Sequence, residues 1–270
     1  MSQQSIVRSN GVDLATRLDG EPGRPWMVLS NGLASTMACW DLQIPMLTRT
    51  HRVLRYDTRG HGDSAAFAGP TSLAELGRDV LGLMDHFGIA RADVIGLSMG
   101  GMTLLGLAIA HGARLGRVIC CDARADAPPP FVANWDTRIA AVRDGGMAAI
   151  VDITIERWFT PAFAAREPAA IEAAAAMIQA TDPDGYIACA GALKQLDYRR
   201  SLGAIRAPTL FVCGAQDLAA APAVMRDMVG ATPGSVYAEV DPGAHVCNVE
   251  NPERFDAVVG AWLATTADAA

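Results

Sequence analysis

The stretch Gly96-Leu97-Ser98-Met99-Gly100-Gly101 sets a serine among glycines where one apolar run, DVIGLS (93–98), gives way to another, MGGMTLLGLAIA (99–110). A serine hydroxyl is a poor nucleophile near its own pKa, so it does chemistry only when the backbone presents it and a base takes its proton. A tight turn from a buried strand into a helix meets the first need. The glycines are then required because side chains at their positions would strike neighbouring backbone, and the strained corner lifts the Ser98 hydroxyl clear of the strand ends. Beneath it lies a helix start, whose free N–H groups favour developing negative charge.

The second need is a base held by a carboxylate, and for a corner of this kind the chain order is serine, acid, histidine. Of five histidines, only His245, in DPGAHVCNVE, lies in a loop between the last strand-like run and the last helical segment, from which it can swing over the strand ends. His51 opens a strand-like run, His61 precedes the serine, and His86 and His111 fall on or beside helical segments, so these read as packing or surface groups. Asp217 in LFVCGAQD follows the penultimate strand-like run and is the preferred acid; Asp122, in RVICCDA, is its rival. Acyl chemistry on Ser98 also requires donors for an oxyanion, usually two backbone N–H groups. The amide of Met99, directly after the serine, is one, and that of Leu33 in SNGLAST is the other, with Gly32 expected to let its loop approach closely.

These residues need a frame that brings them to one edge. Apolar runs of strand length, WMVLSN (26–31), RVLRYD (52–57), DVIGLS (93–98), RVICCDA (117–123), TLFVCGA (209–215) and SVYAEVD (235–241), alternate with helical segments near 71–88, 99–111, 221–230 and 252–265. Continuous hydrophobicity means strands covered on both faces, and strand–helix alternation means a mostly parallel sheet. SIVRSNGVDLATRLDG, with Asn10-Gly11 at its turn, predicts an antiparallel hairpin at one edge. From Arg124 to about Leu202 there is no buried-strand run, only helix formers such as PAAIEAAAAMIQA. The expected division is a core, 1–123 with 203–270, and a helical cap, 124–202, entered through APPP (127–130).

The 270 residues suffice for one large domain with an insertion and a sizeable core, without metal or disulfide. A net charge of −7 gives no general attraction to phosphate backbones, which argues against nucleic acid as a partner. The start MSQQSIVRSNGVDL lacks a secretory pattern, and no run approaches the roughly 18 apolar residues of a membrane span, so a cytoplasmic chain without membrane contact is expected. Six cysteines without metal-ligand spacing read as small buried hydrophobes, with Cys247 notable for its closeness to His245.

LSNGLAST, RYDTRGHGDS, GLSMGGM, ERWFTPAF, ATDPDGYIACAGAL, LDYRRSLGAIRAPTLFVCGAQD and GAHVCNVENPERF together span most of the chain. On these segments it resembles the α/β-hydrolases, and more narrowly 3-oxoadipate enol-lactonases and their relatives. The resemblance implies an α/β-hydrolase fold, a mostly parallel eight-stranded sheet flanked by helices, with the cap setting substrate choice. It implies a serine hydrolase of esters or lactones in aromatic catabolism, with Ser98, His245 and Asp217 as triad, the Leu33 and Met99 amides as oxyanion donors, and neither cofactor nor metal. RGHGDS (59–64) reads as scaffold. An enol-lactone opens to a keto acid, so the small-molecule substrate is an anion and needs a local positive site in this acidic protein. Arg138, Arg157 and Arg199 are the candidates, with Trp135 and Trp158 as pocket walls; a homo-oligomer is left open. The chain departs from the enol-lactonase pattern at DLAAAPAV, HVCN and SNGLAS, all near the site. A carboxylesterase, an amide or carbon–carbon bond hydrolase, a perhydrolase, or a ligand-binding receptor on this fold are the alternatives.

Overall fold

The strands are β1 (Gln3–Ser9), β2 (Val12–Asp19), β3 (Trp26–Ser30), β4 (Arg52–Tyr56), β5 (Ala92–Leu97), β6 (Leu115–Cys121), β7 (Thr209–Gly214) and β8 (Val236–Val240). The computed structural model describes residues 3–66 and 69–266 and joins these strands in one eight-stranded sheet, ordered β1-β2-β4-β3-β5-β6-β7-β8. The β1–β2 and β2–β4 pairs are antiparallel and every other pair is parallel. Each of the six apolar runs forms a strand, β6 starting earlier than expected at Leu115. β5, β6 and β7 are buried at every residue, which is why their sequences show no alternation. The edge hairpin turns at Asn10 (φ 44°) and Gly11 (φ 81°), the paired left-handed conformations that a two-residue turn matching strand twist demands.

Helices α1 (Ile44–Leu47), α2 (Leu73–His86) and α3 (Met99–Ala110) fill the first crossovers. Between β6 and β7 the chain forms α4 (Pro129–Gly145), α5 (Val151–Trp158), α6 (Pro161–Arg166), α7 (Pro168–Gln179) and α8 (Pro183–Leu193), the segment read from sequence as a cap. Then follow α9 (Pro222–Ala231), α10 (Cys247–Glu250) and α11 (Pro252–Thr265). The single-turn α1 and α10 carry too few residues to register as a helical period in the sequence. Among the described residues no helix is long and apolar enough to cross a membrane.

The narrow motifs of the cap are helix starts. Thr160 in ERWFTP accepts the Phe163 N–H at 3.2 Å ahead of Pro161, and Asp182 in TDPDGY accepts the Gly185 N–H at 2.7 Å ahead of Pro183. RGHGDS acts as scaffold: buried Arg59 donates from Nε to Asp79 on α2 at 2.7 Å, and the carboxylate of Asp57 accepts the N–H groups of Met37 (2.7 Å) and Asp63 (3.0 Å). This loop also seats α8. A methyl group on Gly185 would lie 2.6 Å from the Gly60 Cα, so backbone rests directly on backbone.

That contact separates two identical substitutions in one helix. Gly185→Ala is expected to cost about 2 kcal/mol and to lower the melting temperature by about 5 °C, because the two backbones must part. Gly191→Ala, also in α8 but with nothing within 4 Å of its would-be methyl, is expected to leave the melting temperature equal or slightly higher. Thermal unfolding followed by circular dichroism makes the comparison.

Candidate active site

The sheet order reverses between β3 and β5, where a crevice opens at the carboxyl ends of the strands. Ser98 follows β5 there, at φ 53° and ψ −115°, a conformation that L residues rarely adopt. The cause is how closely α3 begins. A methyl group on Gly96 would lie 2.5 Å from the Gly100 carbonyl carbon, and one on Gly100 would lie 2.2 Å from the Ser30 carbonyl oxygen at the end of β3. The Ser98 N–H donates to the Cys121 carbonyl at 2.8 Å, fixing the corner to β6 as well. Gly32 behaves differently from expectation: a methyl group there would meet nothing nearer than 3.6 Å, and it is Ala34, at φ 61°, that turns the loop.

His245 stands in the loop after β8, and Asp217 in the loop after β7. The His245 Nε2 lies 2.9 Å from the Ser98 Oγ, and its Nδ1 lies 2.9 Å from Asp217 Oδ2. Asp217 is 2% exposed, and its other oxygen accepts the Ala219 N–H at 2.7 Å. A carboxylate only accepts, so Nδ1 carries the ring proton, Nε2 keeps its lone pair, and the Ser98 hydroxyl donates to it. Burial alone depresses the imidazole; the Asp217 charge and hydrogen bond outweigh it, and the ring titrates above its ordinary 6.5. Burial alone raises Asp217; the His245 charge and hydrogen bond, with the Ala219 and Ala220 amides, outweigh that and hold it below the usual carboxylate range.

A sequence profile of the alpha/beta hydrolase family matches residues 27–258. The chain belongs to the alpha/beta hydrolase family. It is 34% identical over 248 residues to 3-oxoadipate enol-lactonase 2 of Acinetobacter baylyi, covering 90% of each chain. Among solved structures it resembles the enol-lactonase from Burkholderia xenovorans LB400 with a TM-score of 0.93 and 39% identity, over 96% of this chain and 100% of that one. A thermophilic esterase from Thermogutta terrifontis matches with a TM-score of 0.90 and 27% identity, over 97% and 98%.

In this alpha/beta hydrolase, Ser98 and His245 open into a cavity of about 60 Å³. Leu33 and Ala34 form one wall, and the cap supplies Trp135, Arg138, Arg157 and Trp158. Arg199 is elsewhere: it is drawn to Asp126 (3.4 Å) and Asp227 (3.7 Å) on a surface where its side chain is 62% exposed, and it does not line the cavity. Met99 begins α3, and a first-turn amide has no partner within its own helix. Phe131, Asn134 and Tyr186 also line the cavity and were not anticipated. Tyr186 closes the TDPDGY motif, the one signal that could have found it; Phe131 and Asn134 carry none.

Asp122, the rival acid, takes a different part. It is wholly buried, accepts the Gly214 N–H at 2.7 Å on Oδ1, and has Cys247 Sγ 3.1 Å from Oδ2. Burial first, then the neighbouring Asp217 charge, push its carboxyl well up, towards the neutral form. Donor atoms of Asp122, Cys213 and Asp217 lie within 4.8 Å of one another, with the Asp217 oxygens already engaged by His245 and the Ala219 N–H. A further carboxylate, Glu250, also escaped the sequence reading. It accepts the Ala244 N–H at 2.9 Å and both the N–H and hydroxyl of Thr160, tying the His245 loop to the cap.

The two acids should therefore respond differently. Asp217→Asn is expected to lower kcat for ester hydrolysis by about 10³–10⁴-fold, whereas Asp122→Asn keeps most of it. Because a protonated imidazole cannot accept a proton, kcat/KM should fall as pH drops through a limb centred above pH 6.5, the ordinary value for a histidine. In the residual activity of Asp217→Asn that limb should move to lower pH, since the charge holding the His245 pKa up is gone. A pH–rate profile of each variant tests both points.

Proposed function

We propose that this alpha/beta hydrolase opens a small anionic lactone or ester, of the 3-oxoadipate enol-lactone kind, through an acyl-enzyme on Ser98. That the chain is a hydrolase of carboxylic ester bonds follows from its family and its enol-lactonase relatives. What carries the finer reading is Arg138. Its side chain is buried at 6% exposure, it donates to the Thr154 hydroxyl (3.1 Å) and the Ile153 carbonyl (3.2 Å), and its Nε has no partner among the described residues. No carboxylate forms an ion pair with Arg138 among the described residues, nor with Arg157, which lines the same cavity and feels the Asp217 charge only at a distance. Burial first, then the charge of Arg138, press the Arg157 pKa down. A buried cation without a counter-ion is costly, and an anionic substrate supplies what is missing. The Trp135 Nε1–H, also buried and without a partner among the described residues, adds a neutral donor beside it.

The geometry supports the following steps. Ser98 Oγ attacks the carbonyl carbon as its proton passes to His245 Nε2, and Asp217 stabilises the imidazolium through Nδ1–H. The amides of Leu33 and Met99 receive the oxyanion, each contributing about 3 kcal/mol to lowering the barrier. Collapse breaks the acyl C–O bond and His245 returns its proton to the leaving oxygen, which in a lactone stays tethered to the acyl group. Water, deprotonated by the same histidine, then releases the acid and restores Ser98. The esterase, amide, carbon–carbon and perhydrolase alternatives share this machinery, and only a carboxylate-bearing substrate of theirs would give Arg138 a counter-ion.

Turnover of 3-oxoadipate enol-lactone beside p-nitrophenyl acetate tests the reading, with Ser98→Ala as control. The lactone is expected to exceed the neutral ester by about 100-fold or more in kcat/KM, and Ser98→Ala to abolish both. Arg138→Gln should cost the lactone about 100-fold, mostly in KM, and the neutral ester far less. If the neutral ester outpaces the lactone, or Arg138→Gln costs both alike, the anionic assignment is wrong.

A further inference from the structure

The Ser98 cavity, about 60 Å³, falls well short of the roughly 300–1,000 Å³ of sites that enclose small ligands. Whatever enters must displace a wall. A second cavity of about 380 Å³ lies on the far side of one wall, bounded by the loop after β3, α7 and the turn around α10. The two spaces share their boundary residue by residue. Leu33 and Ala34 face the Ser98 side while Ser35 and Thr36 face the other; His245 faces one while Val246 faces the other. Among the described residues Trp158 alone lines both. Chain neighbours thus fall on opposite sides of the boundary, and the bulkiest residue common to both linings is Trp158, 7% exposed.

The second chamber has a definite chemistry. Ala170, Ala173, Ala174 and Met177 recur at helical spacing, so one face of α7 offers small side chains there. This accounts for the alanine run of PAAIEAAAAMIQA, which leaves volume where larger residues would fill it. The thioether of Met177 accepts from the Thr36 N–H and hydroxyl at 3.4 and 3.5 Å, pinning that face to the loop beside Ser98. Phe159, Val246 and Val249 complete apolar walls. Among the described residues the single charged lining residue, Asp41, is ion-paired with Arg55. Among the described residues no cation lines the chamber, in contrast to Arg138 and Arg157 across the partition.

We infer that this chamber is a subsite for an uncharged alkyl arm of the substrate, and that Trp158 gates it from Ser98. The inference rests on Ser98 being the acylated residue. The reacting carbonyl then sits between a cationic end and an apolar one. This points to a fatty-acyl ester of a carboxylate-bearing alcohol, or a lactone carrying both a carboxylate and an acyl-side alkyl chain, as the substrate class.

The experiment compares kcat/KM for p-nitrophenyl octanoate and p-nitrophenyl acetate. Trp158→Ala is expected to raise the octanoate-to-acetate ratio by about tenfold or more, as apolar length gains a pocket. Trp158→Phe, which keeps an aromatic ring against Phe159, should raise it less and covers the case in which the alanine variant does not fold. Adding Ala173→Phe, which fills the chamber from α7, should return the ratio to the wild-type value. A folded Trp158 variant with an unchanged ratio overturns the gate, and so does a gain that survives Ala173→Phe. Retention of turnover by Ser98→Ala instead overturns the proposed function itself.

Discussion

Everything at the strand ends hangs on the approach of α3 to β3, where a single methyl group at Gly100 would come within 2.2 Å of the Ser30 carbonyl oxygen. With the helix starting this close to the sheet, the chain has no room for a relaxed turn, and Ser98 takes a positive φ. That backbone costs about 1–3 kcal/mol. Burying the side chains of Leu104 and Leu105, both fully enclosed, contributes about 2 kcal/mol each and outweighs it. The strain is thus held by packing one to two turns further along the same helix. The loop after β3 then runs beside the serine because its strand is β5's neighbour, and the loops after β7 and β8 reach it across the same edge.

Beneath the base lie two carboxyl groups where one suffices. Two neighbouring carboxylates in a space closed to water cannot both ionise cheaply, so their pKa values part. Asp217, with His245 and two amides to satisfy it, takes the charge; Asp122, with one amide and a thiol, is driven towards the neutral form. The donors around each oxygen, not depth, separate the two carboxyl groups, since both are buried.

The sheet was legible because a strand covered on both faces must be apolar throughout, and β5, β6 and β7 are. The Ser98 corner and His245 were legible because a turn and a loop position are local facts. Arg199 was misplaced because the charge of a side chain does not say which neighbour it will pair with; Asp126 and Asp227 are brought to it only by the fold. The departures from the enol-lactonase pattern likewise divide only in three dimensions. Cys247 and Asn248 of HVCN turn inward, the latter donating to the Cys39 carbonyl at 2.8 Å, while Ala219 and Ala220 of DLAAAPAV line the cavity. Glu250 was invisible because its partners, Ala244 and Thr160, lie on separate parts of the chain.

Glu250 joins two things that need not have been joined. One carboxylate holds the backbone just before His245 and the link between α5 and α6, directly after Trp158 within the cap. Displacement of that part of the cap and displacement of the base are therefore not independent events but share a free energy. By reciprocity, whatever stabilises the cap's seating stabilises the base's position by the same amount. Occupancy and readiness become thermodynamically linked, and a hydroxyl left exposed by an unseated cap meets a base that is also less firmly held.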